Sequence, residues 1–348
     1  MTDSALLLTP SRGQGGGIER YVEALEWAFA YQHIPCTRLD LRRSGVGAHA
    51  RLFAEARSRL RDARRPIRLV LAHRTLMPAA AKLARNQSVS GVSVICHGSD
   101  VWGARPGPRS WAEGHLMRRS GVRVVAASSF TAGALAANCS ATVLPPGLSR
   151  AWFDTLVQAS ASSRLGHHGI RLVTAFRLAD WRNKGLMQLA GAVAKLGEPE
   201  LEITVCGTGQ PSVDLLEFAR KHNITVRPGL TDEALARQLA AADLFVLATR
   251  TKAGRGASGE GFGLVLVEAQ VAGTPVIGPA YGGSHDAYID QLTGVTPTDE
   301  SASALAKSIN DLLRDPERLP RMGKTAAEWA RQAFAPEQYA PLVAERLL

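Results

Sequence analysis

The chain predicts two α/β domains, each built on a doubly wound parallel sheet. Three observations predict it. Strand-like runs alternate with helical patterns along most of the sequence, the order that gives a parallel sheet with helices on both faces. The run Leu144-Pro145-Pro146-Gly147 breaks that alternation as a hinge would, and the pattern then restarts. At 348 residues, 45% hydrophobic and only 6% aromatic, the chain is long enough for two cores built mainly of Ala, Leu and Val. The expected division is a first domain over 1–147, joined by a C-terminal helix at about 331–348, and a second over 148–330.

Ala5–Thr9 reads as the opening strand, and Pro10–Gly17 as a glycine turn. A helix follows from about Ile18, with Tyr21, Leu25 and Phe29 near helical spacing. Strand, glycine turn and helix N-terminus in that order make an anion cradle around Gly15, Gly16 and Gly17, although a plain tight turn explains the glycines equally well. A dinucleotide fingerprint competes here. It needs a third small residue where Ile18 stands, and its acid would be Asp40 in the strand Thr37–Leu41. Arg51 to Arg68 reads as an amphipathic helix with a basic face, either simply solvated or in contact with an acidic membrane surface.

Strand-like segments Arg68–His73, Val92–Cys96 and Val122–Ala126 complete the first half. His73 and His97 both stand at strand ends, at the carboxyl edge where open α/β sheets bind ligands. Alone, either reads as a hydrogen-bonded structural histidine. His97, followed by Gly98-Ser99-Asp100, is the better candidate. Trp102 and Trp111 suit an acceptor wall or plain packing.

After the hinge come strand Arg171–Ala175, helix Met187–Leu196, strand Glu202–Val205 and turn Gly207-Thr208-Gly209. Helix Val213–His222, strand Thr225–Arg227, helix Asp232–Ala241 and strand Asp243–Ala248 continue the alternation. A basic stretch rich in Gly, Ala and Ser (250–259) leads into Gly259-Glu260-Gly261-Phe262-Gly263-Leu264-Val265-Leu266-Val267-Glu268-Ala269. If Gly263 begins a helix, its first amides and dipole form a site for negative charge. Glu260 then lies at the helix mouth and Glu268 about two turns deeper, at ~1.5 Å per residue. That layout suits the sugar, diphosphate and ribose of a sugar nucleotide. The competing reading makes Leu264–Val267 a buried strand and Glu268 a salt-bridged residue. Strand Pro275–Ile277, a glycine turn at Gly282-Gly283 and closing helices follow.

The formal charge of +10 attracts polyanions in general. No zinc finger, aromatic RNA-binding strand or basic zipper accompanies it, so nucleic acid is not an expected partner. No apolar run reaches the ~20 residues of a membrane span, and Leu6-Leu7-Leu8 is too short for a secretory core. Cys36, Cys96, Cys139 and Cys206 lack zinc or redox spacing, which points to reduced thiols in a cytoplasmic protein.

Taken together, these motifs resemble glycosyltransferase family 4, the retaining GT-B family. Glu260 and Glu268 resemble its Glu-x7-Glu motif, and Gly15-Gly16-Gly17-Ile18-Glu19 its N-terminal glycine loop. Phe176-Arg177 through Lys184-Gly185 resembles its paired Arg and Lys, and Cys206-Gly207-Thr208-Gly209 its Gly-x-Gly turn. The resemblance implies two Rossmann-like domains facing across a cleft, and transfer from a nucleotide-diphosphate sugar to a soluble metabolite, sugar or lipid hydroxyl. It implies no cofactor and no metal. It also assigns roles. Arg177 and Lys184 balance the diphosphate, with amides of Gly15–Gly17 and of Phe262, Gly263 and Leu264. Glu268 takes the ribose, Glu260 the sugar hydroxyls, and His97 lies near the sugar or acceptor. A sugar-nucleotide epimerase, a nicotinamide oxidoreductase and a non-catalytic nucleotide-sugar binder are the rivals.

Overall fold

The computed structural model describes residues 3–10, 16–42, 45–102, 107–162, 169–198, 200–252, 254 and 257–348. In the first part of the chain the elements are β1 (Ser4–Thr9), α1 (Gly17–Tyr31), β2 (Cys36–Asp40), α2 (Val46–Arg61), β3 (Ile67–Leu71) and α3 (Met77–Leu83). They continue as β4 (Val89–Cys96), α4 (Ser99–Trp102), α5 (Pro108–Met117), β5 (Val122–Ala126), α6 (Ser129–Leu135) and β6 (Thr142–Val143). After the hinge come α7 (Arg150–Ser162), β7 (Ile170–Ala175), α8 (Leu186–Leu196), β8 (Leu201–Gly207), α9 (Val213–Lys221) and β9 (Ile224–Pro228). The chain closes with α10 (Asp232–Ala240), β10 (Leu244–Val246), α11 (Leu264–Val271), β11 (Val276–Ile277), β12 (Gly294–Val295), α12 (Ala302–Leu313), α13 (Arg318–Ala333) and α14 (Pro336–Leu347).

These elements form two compact units. One holds Met1–Ser149, Lys252–Phe262 and Pro336–Leu348; the other holds Arg150–Thr251 and Gly263–Ala335. Each has a six-stranded sheet whose named strands pair in parallel. The first sheet has the order β2-β1-β3-β4-β5-β6 and the second β12-β11-β10-β7-β8-β9. In both, the strand order reverses beside the first strand, between β1 and β3 and between β7 and β10. At such switch points the carboxyl ends of the strands leave a crevice for ligands.

In the first unit the run Ala5-Leu6-Leu7-Leu8 is buried throughout, because helices cover both faces of its strand. Tyr21, Leu25 and Phe29 of α1 pack with Tyr339, Val343 and Leu347 of α14 on one face. Leu52, Ala56 and Leu60 of α2, with Met77 and Ala80 of α3, cover the other. The end of α14 is capped from the sheet: Ser93 Oγ donates to Leu347 O at 2.6 Å and Arg123 Nη1 to Glu345 O at 3.1 Å.

The arginine-rich helix is shorter than its pattern. α2 ends at Arg61, because Pro66 disfavours helix at the residue before it and itself has no N–H to donate. Arg68 therefore belongs to β3, buried, with its Nε donating to Ser93 Oγ at 3.2 Å. The strand reading of Leu264–Val267 also fails. These residues open α11, which buries Leu264, Leu266, Val267 and Glu268 through Val271 and so shows no polar face to give it a helical period. Among the described residues no helix is long and apolar enough to cross a membrane. All four cysteines are free thiols, and burial pushes those of Cys36 and Cys206 up to about 12.

Candidate active site

In the second unit the loops after β7, β8 and β10 carry most of the expected donor residues. Arg177 and Lys184 follow β7. Between them the chain makes one short helical turn (Leu178–Asp180) and reaches Gly185, which is left-handed at φ +74°. A β-carbon at Gly185 would collide with the carbonyl oxygen of Ala248, just beyond β10. Arg250 N donates to Asn183 O at 2.8 Å in the same place. The loop bearing Lys184 is thus laid directly on the loop leaving β10, at the switch point. Arg177 is half-exposed, with Nη1 3.9 Å from Asp180 Oδ2. At the adjacent strand end a β-carbon on Gly207 would meet Phe176 O, and Thr208 O accepts from Leu178 N at 3.0 Å. Thr208 and Gly209 are exposed beside this turn.

The helix α11 starts at Gly263, left-handed at φ +80°, with no side chain capping its first amides. Such an uncapped N-terminus favours an anion. Leu264 is buried, so its contribution to a ligand is its backbone. Glu268, 6% exposed, accepts a hydrogen bond from the indole Nε1 of Trp152 at 2.9 Å. Trp152 lies on α7, a helix that sequence reading passed over, and it orients this carboxylate.

In the first unit His97 follows β4. Its Nε2 donates to Ala72 O at 2.7 Å, so Nδ1 carries the lone pair and can accept a proton from a hydroxyl. Its ring stacks on His73 at 5.6 Å and meets the edge of Tyr21 at 5.5 Å. Asp100 Oδ1 accepts from the amides of His97 (3.0 Å) and Gly98 (2.7 Å), which fixes the turn. Asp100 Oδ2 is buried with no hydrogen bond and lies 4.0 Å from His73 Nε2. His73 Nδ1 accepts from Thr75 N at 3.2 Å, so its own proton faces Asp100. Burial lowers the His73 pKa below its ordinary value, and the nearby Asp100 charge opposes that shift.

Gly98 (φ +136°) and Gly261 touch through their backbones: a β-carbon on Gly261 would overlap His97 O. This contact seats Glu260, half-buried, beside the His97 turn. Phe262 is buried, so it too offers backbone rather than ring. Gly16 and Gly17 are exposed where α1 begins, while Gly15 lies outside the described residues. The structure brings together His97 and the Glu260 segment in one unit, and Lys184, the Gly207–Gly209 turn and α11 in the other.

The dinucleotide alternative loses its acid. Asp40 Oδ1 accepts from Thr9 Oγ1 at 2.5 Å and from Arg38 Nε at 2.7 Å, and Arg38 also pairs with Glu26 at 2.6 Å. Sequence reading missed Trp152 and the close approaches at Gly185 and Gly261. The glycines were visible, but their partners stand far along the chain.

Residues 171–329 match the family model described as "Glycosyl transferases group 1". A GDP-mannose-dependent alpha-(1-6)-phosphatidylinositol monomannoside mannosyltransferase of Mycolicibacterium smegmatis is 27% identical over 265 residues, 71% of this chain and 67% of that protein. A D-inositol 3-phosphate glycosyltransferase of Segniliparus rotundus is 30% identical over 240 residues, 65% of this chain, which spans about half (51%) of that relative's length. Among solved structures, Anabaena Alr3699/HepE in complex with UDP matches with a TM-score of 0.74 at 17% identity, covering 98% of both chains. Sucrose-phosphate synthase from Thermosynechococcus elongatus matches with a TM-score of 0.75 at 19% identity, again over 98% of both chains. The two sheets, their flanking helices and these likenesses make the fold GT-B, and residues 171–329 are of the group 1 glycosyl transferase type that the motifs of the chain resemble.

Proposed function

We propose that the chain moves a sugar from a nucleotide-diphosphate sugar to a hydroxyl acceptor, with retention at the anomeric carbon and without a metal ion. The observation that carries this is the Lys184 loop packed on the loop after β10, the loop that leads to the uncapped start of α11. As the glycosidic bond breaks, negative charge grows on the leaving diphosphate. Arg177, Lys184 and the first amides of α11 supply fixed positive charge and dipoles for it. Glu268, oriented by Trp152, takes the ribose hydroxyls. Glu260 takes hydroxyls of the donor sugar, and His97 Nδ1 accepts a hydrogen bond from a sugar or acceptor hydroxyl. The acceptor oxygen attacks the face the nucleotide leaves, and its proton passes to the departing phosphate.

The location we propose is cytoplasmic, with the acceptor either soluble or displayed at a membrane surface. The names of the two relatives above make inositol phosphates and phosphatidylinositol mannosides the first acceptors to assay. The test is a panel of UDP-, GDP-, ADP- and dTDP-sugars, read by mass spectrometry for acceptor-dependent product and by NMR for its anomeric configuration. One donor series should give product with the donor's configuration, at a rate that a chelator leaves unchanged. Inverted product, or a rate abolished by chelator and restored by a divalent cation, contradicts the reading.

A further inference from the structure

The arginine-rich stretch takes no part in the chemistry above, and the fold gives it neighbours. α2, α3 and α5 lie on one face of the first sheet and bury their apolar sides in one cluster. Each connects two parallel strands, so each runs back against them and ends at the amino edge of the sheet. That edge collects Arg59, Arg61, Arg64 and Arg65 from the end of α2, Lys82 and Arg85 from α3, and Arg118 and Arg119 from α5. All eight are exposed, and among the described residues none pairs with a carboxylate. Cations in the last turn of a helix complement its dipole. That accounts for Arg59, Arg61 and Lys82, but not for the five beyond the helix ends.

Beside them a slot of about 260 Å³ opens between α3 and α5. Met77, Ala80, Ala81, Ala84, Val92 and Leu116 make it apolar, and Arg85 and Arg119 also line it. Covering apolar side chains such as these with an apolar guest removes their surface from water, which is favourable.

We infer that the slot receives one acyl chain of an anionic membrane lipid, whose headgroup Arg85 and Arg119 hold while the neighbouring arginines rest on the bilayer surface. A nucleic acid satisfies the arginines but leaves the apolar slot empty; a bilayer uses both. The two cations of the slot, Arg85 and Arg119, lie at the amino edge of the sheet, whereas His97 and Gly261 stand at its carboxyl edge. The bound lipid is therefore an anchor and not the acceptor of the transfer reaction.

The experiment is co-sedimentation of the full chain with vesicles of phosphatidylcholine, with and without phosphatidylglycerol. Binding should need phosphatidylglycerol and weaken as salt rises. Arg85→Glu with Arg119→Glu should weaken it by at least about tenfold, given the contribution of each basic residue near an anionic surface. Ala81→Phe fills the slot without changing charge and should also weaken vesicle binding, while heparin binding stays as in the wild type. Ala84→Phe, at an exposed position, gives the same reading if Ala81→Phe melts early. Transfer to a water-soluble acceptor should be unchanged in all of these variants, which separates this outcome from any failure of the glycosyltransferase reading. Wild-type vesicle affinity in both slot variants overturns the proposal. So does tight heparin or RNA binding by a chain that ignores phosphatidylglycerol vesicles.

Discussion

A carboxylate as deeply buried as Glu268 needs a partner, and Trp152 supplies one from α7. Trp152→Phe keeps one aromatic ring and removes the donor, together with the five-membered ring that carries it. A lost hydrogen bond to a buried charged group costs about 1.5–3 kcal/mol, so urea unfolding should show a loss of that order, with the donor KM raised more than kcat is lowered. Unchanged stability together with an unchanged KM contradicts this role. His73 gives a pH signature. Its folded-state value lies below the ordinary one for histidine, chiefly through burial, so just below the ordinary value the unfolded chain binds more protons than the folded one. Its contribution is fully present above about pH 6.5 and fades as pH falls toward the folded-state value. His73→Gln should flatten the rise of the urea midpoint as pH climbs to about 6.5, and an unchanged slope would show that His73 titrates as it does unfolded. That His97 stands at a strand end was legible, because the run before it reads as a strand. The Trp152–Glu268 bond was not, because it spans 116 residues and no local period links its ends.

The helix α11 shows why short apolar runs mislead. With nearly every residue buried, Leu264–Val271 carries neither a period of two nor one of 3.6, and only its surroundings decide that it is a helix. Its C-terminus is held from α13: Arg331 donates from Nε and Nη2 to Val271 O at 3.0 and 2.9 Å. Both bonds satisfy a carbonyl that the helix leaves unpaired. Arg331→Ala should destabilise the fold by about 1–3 kcal/mol, because the carbonyl loses a charged donor. Lys at this position should recover only part of that, since one ammonium does not reproduce a forked contact. Full stability in the alanine variant would mean that water or another group satisfies Val271. Other element ends were legible where punctuation is strong, as at the hinge Pro145-Pro146. Arg51–Arg68 was read as one helix because its arginines outweigh the single break at Pro66.

Across the whole molecule, alternation alone was enough to foresee two parallel-sheet units, because each strand–helix step is a local signal. Strand order is not local. The first sheet runs β2-β1-β3-β4 and the second β9-β8-β7-β10 when read from the opposite edge, so the units share a class and differ in winding. The grouping of Lys252–Phe262 with the first unit likewise depends on packing between distant segments, such as Gly261 on His97. The candidate donor residues gain their meaning at this scale, because the switch point of the second sheet gathers loops from β7 and β10 that are far apart in sequence. Lys184→Ala tests that directly. Removing one preorganised donor to a developing charge costs about 10²–10³ in rate. Transfer measured on a variant with wild-type thermal stability should therefore lose at least about a hundredfold in kcat/KM; a variant that keeps kcat/KM within a few-fold of wild type would contradict the placement of the diphosphate at this switch point.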